Sequence, residues 1–483
     1  MRYRGILRIL GLLIGLFSFT LLPPAFIALI YEDGGGLAFL FSFIISLLIG
    51  FAVWYPQRQF RSDLKARDGF LLTALFWIVL GAVGTLPFIL TQEVPLSITD
   101  AAFESFSGLT TTGATILTGI EHLPHSILFY RQQLQWLGGM GIIVLAVAIL
   151  PMLGIGGMQL YRAEIPGPLK DAKMTPRIAD TAKHLWYIYA GLTAACAIAY
   201  KWGGMSWFDA IGHSFSTVAV GGFSTYDASM GYFDSATINT ICVVFMLISG
   251  MNFALHYAAV SGRSLSAYFR DPECRGFLWI QVSLILIVFV TVLAHGIYDS
   301  PEEALDQAMF QAVSISTTAG FATTSFAVWP LFLPLLLIFA SFVGGCASST
   351  GGGLKVVRVL LLFRQGIREL NRLVHPRAVY SVKLGSRPVS TRVVEAVWGF
   401  FSAYALVFVV IMLGLLATGL DGLTAFSATA ACLNNLGPGL GEVASNYAEI
   451  SATAKWLLLI AMVFGRLEVF TLLVLLTPAF WRS

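Results

Sequence analysis

Charged residues are scarce in this sequence of 483 residues. Asp, Glu, Lys and Arg together make up 11% of it, and hydrophobic residues make up 57%. Soluble domains carry roughly 25% charged residues, and a soluble chain of this length could not bury so much apolar surface in a few domain cores. The composition therefore excludes a cytosolic enzyme, a disordered chain and a nucleic-acid-binding protein. It favours a polytopic α-helical membrane protein.

Cysteine is also rare, which argues against a disulfide scaffold. The five cysteines form no C-x-x-C pair, and we interpret them as small apolar packing residues. They are Cys196, Cys242, Cys274, Cys346 and Cys432. The sequence also lacks a His/Cys/Asp cluster with metal-ligand spacing and any Ser-His-Asp or paired-carboxylate arrangement. We therefore predict that the protein is not an enzyme.

Long apolar runs are what the sequence has instead, and they exclude the short alternating strands of an outer-membrane barrel. A helix needs about 20 apolar residues to cross a bilayer. Ten stretches fit: 6–30, 37–56, 69–91, 132–155, 184–204, 235–260, 276–298, 328–365, 393–418 and 455–480. The first is long and contains Pro23 and Pro24, so we interpret it as a retained span rather than a signal peptide.

Basic residues mark the orientation of these spans. Of the 29 Lys and Arg residues, all but Arg131, Lys201, Lys455 and Arg466 lie near a terminus or in alternate loops. Positive residues favour the cytoplasmic side, so we expect both termini to be cytoplasmic, in agreement with an even number of crossings. Topology alone explains these basic loops. The alternative is that residues 355–392 also bind an acidic or nucleotide-carrying partner.

Four further segments are too short to cross the membrane and too apolar to be ordinary loops. Each lies between two spans on the outer side, and the first two share Ser-Phe-Ser at the same offset. They end in the glycines Gly113, Gly222, Gly320 and Gly437. The glycines recur at roughly 100 residues, a longer period than that of solenoid repeats. We therefore predict a two-span N-terminal segment and four repeats, with bounds 1–68, 69–160, 161–262, 263–391 and 392–483.

The half-crossing segments have the composition of re-entrant pore loops. A short helix enters the membrane, and a glycine that permits positive φ then turns the chain back. Such backbone is tolerated at membrane depth where it lines a cavity or is packed in protein. Four such loops around one axis would present carbonyl oxygens and the negative ends of four helices to a dehydrated cation. The predicted potassium-binding residues are Thr111, Thr112, Gly113, Val220, Gly221, Gly222, Thr318, Ala319, Gly320, Asn435, Leu436 and Gly437.

The predicted fold is thus an all-α polytopic membrane protein. It has about ten transmembrane helices and four re-entrant pore helices, with two N-terminal spans followed by four span–pore-loop–span repeats around a central pore. The four loops and three further stretches resemble the Trk/Ktr/HKT superfamily of potassium transporters, most closely its bacterial Trk membrane subunits. The further stretches are Gln135–Ile143, Gly344–Lys355 and Phe464–Phe470.

This resemblance implies low-affinity potassium uptake across the bacterial inner membrane. It also implies a homodimer in the lipid bilayer and a cytosolic TrkA-like regulatory ring. ATP and NAD would bind to that ring rather than to this chain, which would hold no covalent cofactor. The loops depart from the Thr-Val-Gly-Tyr-Gly filter of tetrameric channels, so we expect weaker discrimination between K⁺ and Na⁺. Uptake obligatorily coupled to H⁺ or Na⁺ (symport) is the alternative, although Glu104 and Glu468 are few for a proton relay.

A glycine-rich stretch interrupts the long eighth span and is the predicted intracellular gate. Its predicted gate residues are Gly344, Gly345, Ser348, Ser349, Thr350, Gly351, Gly352, Gly353 and Lys355. The stretch lacks the spacing of a phosphate-binding loop, and a simple helix kink is the alternative. Its small residues should have little to bury and should therefore open at low free-energy cost. We add Arg466 to the gate because an arginine inside the last span should face the pore or a partner.

Four other polar residues lie within predicted membrane segments. They are Glu104, His213, Asn252 and His256. We interpret all four as packing or hydrogen-bonding groups rather than ligands. Glu104 could in addition deepen the negative potential of the outer mouth.

Overall fold

The computed structural model describes residues 3–60, 66–144, 178–330 and 332–482, and these residues are predominantly helical. Its α-helices are Tyr3–Phe19, Leu22–Tyr31, Gly36–Trp54, Ala66–Gly84, Leu86–Leu90, Ile98–Leu109, His125–Val144, Ile178–Trp202, Trp207–Ala219, Ala236–Gly250, Phe253–Gly262, Ser266–Arg270, Pro272–Ala294, Pro301–Ser316, Leu333–Val343, Val356–Val374, Thr391–Ala417, Gly422–Leu433, Ala452–Arg466, Phe470–Leu476 and Pro478–Trp481. Short 3₁₀ turns lie at Tyr55–Gln57, Ile120–His122, Ser229–Phe233, Phe326–Val328 and Gly441–Val443. One antiparallel hairpin pairs Lys383–Leu384 with Arg387–Pro388.

Five helical stretches of the described residues are long and apolar enough to cross a membrane by themselves. They are Tyr3–Tyr31, Gly36–Gln57, Arg67–Leu90, Pro272–Ala294 and Thr391–Ala417. They coincide with the predicted first, second, third, seventh and ninth spans. Helices His125–Val144 and Ile178–Trp202 lie at the fourth and fifth, but residues 145–177 lie outside the described residues. The end of the fourth span and the predicted repeat boundary at 160 fall there.

Two predicted spans are wrong as single straight helices. The sixth consists of Ala236–Gly250 and Phe253–Gly262 at 94°, and the tenth consists of Ala452–Arg466 and Phe470–Leu476 at 111°. In the sixth, the side chain of Asn252 accepts a hydrogen bond from the N–H of Ala254 and caps a new helix. In the tenth, positive φ angles turn the backbone at the break. The predicted break in 328–365 is present, between Leu333–Val343 and Val356–Val374.

The helices Tyr3–Phe19 and Gly36–Trp54 pack closely through glycines. A Cβ on Gly11 would meet the Gly50 oxygen at 2.8 Å, and a Cβ on Gly50 would meet the Gly15 nitrogen at 2.7 Å. Small residues allow membrane helices to approach in this way. The outer faces of the spans remain apolar, since Leu406 and Val410 of Thr391–Ala417 are mostly exposed. Lipid rather than water is the solvent that such faces require.

Four pore helices lie between the spans, namely Ile98–Leu109, Trp207–Ala219, Pro301–Ser316 and Gly422–Leu433. Each starts at a side-chain N-cap, provided by Ser97, Ser206, Ser300 and Asp421 respectively. Such caps satisfy backbone N–H groups that the first turn leaves without partners. The third helix has 16 residues where the others have 12 or 13, about one extra turn. The polytopic α-helical fold with re-entrant helices, predicted from the sequence, is confirmed.

Candidate functional site: four pore loops and the loop beneath them

The four pore helices end in the same backbone arrangement. In each, an N–H donates to the carbonyl oxygen five residues earlier, at 2.7–2.9 Å. The donors are Thr112, Gly221, Ala319 and Leu436, and the acceptors are Ser107, Ser216, Ser314 and Ala431. This is the long bond of a Schellman cap. Although the side chains differ among the loops, the helix ends are held alike.

The residue at the turn of each cap has a left-handed conformation, and none of the four is glycine. Thr111, Val220, Thr318 and Asn435 have φ angles of 53°, 55°, 67° and 54°. A left-handed residue with a Cβ costs about 1–2 kcal/mol, so the surrounding structure must impose this conformation. Two residues later the four predicted glycines again have positive φ, from 77° to 98°.

The glycines also show how the loops meet. A Cβ on Gly113 would overlap the carbonyl oxygen of Gly221, and one on Gly222 would overlap that of Ala319. In the same way Gly320 faces the oxygen of Leu436, and Gly437 faces that of Thr112. Each loop therefore contacts the next in chain order, and the fourth contacts the first. The contacts close a ring of four loops around one axis, and this ring contains all twelve residues predicted to bind potassium.

The ring offers backbone oxygens to a ligand. No group of three or more His, Cys, Asp or Glu side chains in the described ranges is placed to hold a metal ion. The helices that end at the ring carry partial negative charge there. Carbonyl oxygens in this arrangement can replace the hydration shell of a monovalent cation.

Side chains that the sequence analysis did not assign to the site hold neighbouring loops together. Arg131 is 1% exposed, and its Nε lies 2.7 Å from Glu104 Oε1. It also donates to the carbonyl oxygen of Ser224, after the second loop, at 3.0 Å. Glu104 accepts further bonds from Thr115 and from the N–H of Ile116. The pair is thus a tie between loops 1 and 2, which agrees with the hydrogen-bonding role predicted for Glu104 and neutralises its charge.

A signal for this tie was present in the sequence. Arg131 lies six residues into the helix His125–Val144 and was counted only as a rare outer basic residue. A charged side chain at such a position normally has a named partner. On the other side of loop 1, where it meets loop 4, the Asn435 amide donates to Thr112 Oγ1 and to the carbonyl oxygen of Met462, each at 3.0 Å.

The glycine-rich stretch Gly344–Lys355 lies directly against the ends of three pore helices. Thr350 Oγ1 donates to the Val218 carbonyl at 2.9 Å, the Gly352 N–H to Thr318 Oγ1 at 2.6 Å, and the Gly353 N–H to the Asn434 carbonyl at 3.1 Å. The predicted gate residues of this stretch therefore lie together beneath the ring.

This loop is held more firmly than its small residues suggested. Cys346, Ser349 and Thr350 are completely buried. The loop is also bonded to the break in the sixth span, through the Cys346 N–H to the Gly250 carbonyl at 2.8 Å. The expectation that it has little to bury is wrong, because its backbone N–H groups and the Thr350 hydroxyl bond it to the surrounding segments. Lys355 Nζ donates back to the Gly351 carbonyl, within the loop.

Arg466 joins this loop to the first repeat. Its guanidinium donates to the Thr350 carbonyl at 3.2 Å and to the Gly138 carbonyl at 2.9 Å, and it is 3% exposed. The prediction that this arginine lies inside a continuous span is wrong. It lies at the end of the helix Ala452–Arg466, where the chain turns. Glu468, two residues after Arg466, pairs with Arg358 at 2.6 Å.

The remaining polar residues have structural partners. His213 is bonded between the Asp209 carbonyl and Ser224 Oγ, each at 2.9 Å. His256 bridges Tyr268 and the Ile248 carbonyl. These contacts, with the helix cap at Asn252, agree with the hydrogen-bonding roles predicted for these residues.

Comparisons with known proteins agree with this geometry. Residues 35–483 match the TrkH family, described as a cation transport protein. The Trk system potassium uptake protein TrkH of Vibrio parahaemolyticus is 64% identical over 485 residues, and that of Escherichia coli K12 is 63% identical over 483, with both chains covered completely in each case. TrkG of Escherichia coli K12 is 42% identical over 480 residues, or 99% of each chain.

A solved structure is similar over the whole chain as well. The crystal structure of the potassium transporter TrkH from Vibrio parahaemolyticus matches with a TM-score of 0.93 and 62% identity, covering 100% of both chains. The similarity therefore extends to the N-terminal helices, the four pore loops and the stretch beneath them.

Proposed function

Because the chain belongs to the TrkH family of cation transport proteins, an integral membrane family of transporters rather than enzymes, we propose that it takes up potassium through the ring of pore loops. The observation that carries this proposal is the closed contact of Gly113, Gly222, Gly320 and Gly437 with the carbonyl of the next loop. Four glycines facing four carbonyls leave the axis lined by backbone oxygens, the ligands that suit a dehydrated K⁺. The relatives named as potassium uptake proteins support the same ion.

We further propose that the stretch Gly344–Lys355 and Arg466 form a gate on the cytoplasmic side of this filter. The stretch lies across the ends of three pore helices, and Arg466 ties it to the helix His125–Val144 of the first repeat. A buried guanidinium next to the filter would repel a passing cation. Opening would require the contacts to Thr350 and Gly138 to break.

The setting of this pore follows from the charge pattern and the resemblance. We propose low-affinity uptake at a bacterial inner membrane, with both termini cytoplasmic and the chain acting as a homodimer. A cytosolic TrkA-like ring would bind ATP or NAD and control the gate, and the basic segment 355–392 is the surface proposed to meet it. The helix Val356–Val374 supports this placement, since it continues directly from the proposed gate and carries Arg364, Arg368 and the exposed Arg372 towards its end.

Gradient-driven conduction is favoured over obligatory coupling to H⁺ or Na⁺. A proton relay needs acidic groups free to exchange protons along the path. Glu104 is bonded to Arg131 and Thr115, and Glu273 accepts backbone N–H groups of Ala347 and Val357. Both carboxylates are thus occupied by hydrogen bonds within the protein.

The test is uptake of ⁸⁶Rb⁺ into K⁺-loaded liposomes that contain the purified protein, with no pH or Na⁺ gradient. We expect uptake that external K⁺ blocks and that Na⁺ or choline blocks little. Uptake that appears only with an H⁺ or Na⁺ gradient would replace this proposal with symport. If both conditions fail even with Arg466→Ala, whose gate should be open, the proposed pore function is wrong.

A further inference from the structure

One face of the helix His125–Val144 is directed at the second pore loop and at the gate. Arg131, Gln135 and Gly138 occupy positions i, i+4 and i+7 and therefore lie on the same side of the helix. Arg131 bonds to the Ser224 carbonyl and the Gly138 carbonyl accepts from Arg466. Gln135 lies between these two contacts, at the level of the filter.

The Gln135 amide grips the second loop at two points. Its Nε2 donates to the Gly221 carbonyl, and its Oε1 accepts the N–H of Phe223 at 3.0 Å. The two bonds bracket Gly222, whose φ is +77°. The Gly221 carbonyl is also the oxygen that faces Gly113 in the ring. The side chain therefore acts on an oxygen of the filter itself and not only on its surroundings.

Gln135 also accounts for an unexplained feature of the sequence. The residue before the ring glycine is Thr112, Ala319 or Leu436 in three loops but Gly221 in the second. A Cβ on Gly221 would collide with the amide group of Gln135. The positive-φ requirement does not explain this glycine, because Gly221 is not among the residues with positive φ. The missing side chain makes room for the amide.

We propose that Gln135 is a specificity-determining, positioning residue of the filter. By fixing the Gly221 carbonyl, it sets the distance and stiffness of one quarter of the oxygen ring. Discrimination between K⁺ and Na⁺ depends on the size of the cage, on the number of carbonyl oxygens that form it and on how freely those carbonyls move. A loop released from Gln135 can close around the smaller ion, so Na⁺ should pass more readily. The inference rests on the proposed potassium uptake through this ring.

The first experiment compares Gln135→Leu with Gln133→Leu in liposomes, by the ratio of ⁸⁶Rb⁺ to ²²Na⁺ uptake. Gln133 is a matched control on the same helix. It is buried too, but its amide donates to the Thr20 carbonyl in the N-terminal segment, at 2.9 Å. We expect Gln135→Leu to lower the ratio by about two- to tenfold, the factor that the loss of a hydrogen bond implies. Gln133→Leu should leave the ratio unchanged.

A second pair of variants tests the shape argument. Gly221→Ala alone should abolish or strongly reduce uptake, and Gly221→Ala combined with Gln135→Ala should recover it, with the low ion ratio of a released loop. Gln135→Glu keeps the acceptor for the Phe223 N–H but loses the donor, so its ratio should also fall. These variants keep the test decisive if Gln135→Leu does not fold.

Failure of this inference can be separated from failure of the proposed function. If the unaltered protein takes up Rb⁺ selectively but Gln135→Leu and Gln135→Glu retain its ratio, Gln135 is a packing residue and the inference is wrong. The same conclusion follows if Gly221→Ala is not rescued by Gln135→Ala. If the unaltered protein carries no Rb⁺ under any gradient, the proposed uptake itself is wrong.

Discussion

The ring of pore loops and the level directly beneath it are built in opposite ways. In the ring, four segments with different side chains share one backbone conformation, from the long cap bond to the positive φ of the glycine. Beneath it, the spans that follow the second, third and fourth pore loops differ from one another. One turns by 94° after Gly250, one is interrupted by Gly344–Lys355, and one turns by 111° after Arg466.

This difference follows from what each level has to do. A cage of carbonyl oxygens binds an ion well only when its members stand at similar distances from the axis, so each repeat must supply the same backbone. A barrier needs only one obstructing element. In the proposed gate, a single interrupted helix would provide it. That helix is bonded to the Val218 and Asn434 carbonyls of the second and fourth repeats and to the Thr318 hydroxyl of its own repeat.

The largest effect is expected from a methyl group in the ring. In Gly320→Ala the new Cβ would overlap the Leu436 carbonyl at a φ of +78°. The left-handed conformation alone costs about 1–2 kcal/mol, so we expect uptake to fall at least about tenfold. Liposome uptake of ⁸⁶Rb⁺ measures it. Gly366→Ala is the control, since a Cβ on Gly366 meets nothing within 4 Å, and equal losses in both variants would show that the ring is not special.

The next largest effect should be an increase in uptake, because the substitution removes contacts of the proposed gate beneath the ring. Arg466→Ala removes the bonds to the Thr350 and Gly138 carbonyls and the charge beneath the filter. We expect higher basal uptake, by about tenfold, with an unchanged ratio of Rb⁺ to Na⁺, since a buried charged hydrogen bond contributes about 1.5–3 kcal/mol. Arg466→Lys should be intermediate. Lower uptake at normal membrane levels of Arg466→Ala would contradict a barrier role.

A smaller increase is expected at the attachment of the loop. Glu273 Oε1 accepts the N–H of Ala347 at 2.7 Å and that of Val357 at 3.3 Å, one on each side of the interruption. Glu273→Leu leaves both donors without this acceptor, so we expect basal uptake to rise a few-fold, the factor that about 0.5–1.5 kcal/mol for a hydrogen bond implies. Glu273→Gln keeps an acceptor oxygen and should stay close to the unaltered protein. Equal uptake in all three proteins would show that Glu273 does not hold the loop shut.

The two levels also differ in how far the sequence predicts them. The loops were found because a ring imposes the same glycine at matched offsets, a pattern that survives differences in side chain. The interruption at Gly344 was visible for a similar reason, as a run of glycines. The breaks after Gly250 and Arg466 were missed, because apolar composition is the same in a straight and in a bent span, and Asn252 was not recognised as a helix cap.

Contacts between distant segments were beyond the sequence for another reason. Gln135 and Gly221 are far apart in the chain, and only folding places the amide where a Cβ would be. The same is true of Arg131 with Ser224 and of Arg358 with Glu468. The repeat boundaries and the ion that the ring binds stay predictions, as do the homodimer and the cytosolic ring.

The smallest effect is expected above the ring, where carboxylates fold onto the backbone of the outer loops. Glu121 accepts the N–H of Asp227, and Asp227 accepts those of Gly119 and Ile120. Hydrogen bonds from the backbone of Glu121 itself and of Asp227 lower the pKa of the Glu121 carboxyl. A lowered pKa means that the contact is intact above the unfolded value of about 4.3 and is lost only as the pH falls below it. Uptake at pH 6 and pH 8 should therefore not differ through this group.

Replacing that carboxylate tests whether selectivity is confined to the ring. Glu121→Gln keeps an acceptor oxygen and removes only an exposed charge, whose interactions are screened by salt within about 10 Å. We expect uptake to change by less than about twofold and the ratio of Rb⁺ to Na⁺ to stay constant. Glu302→Gln, at the exposed start of the third pore helix, is the control for charge loss alone. A shift of the ion ratio in Glu121→Gln but not in Glu302→Gln would extend the filter to the outer loops. The hydrogen bond between Glu121 and the Asp227 N–H would then influence the geometry of the ring below, and not only the order of the outer loops.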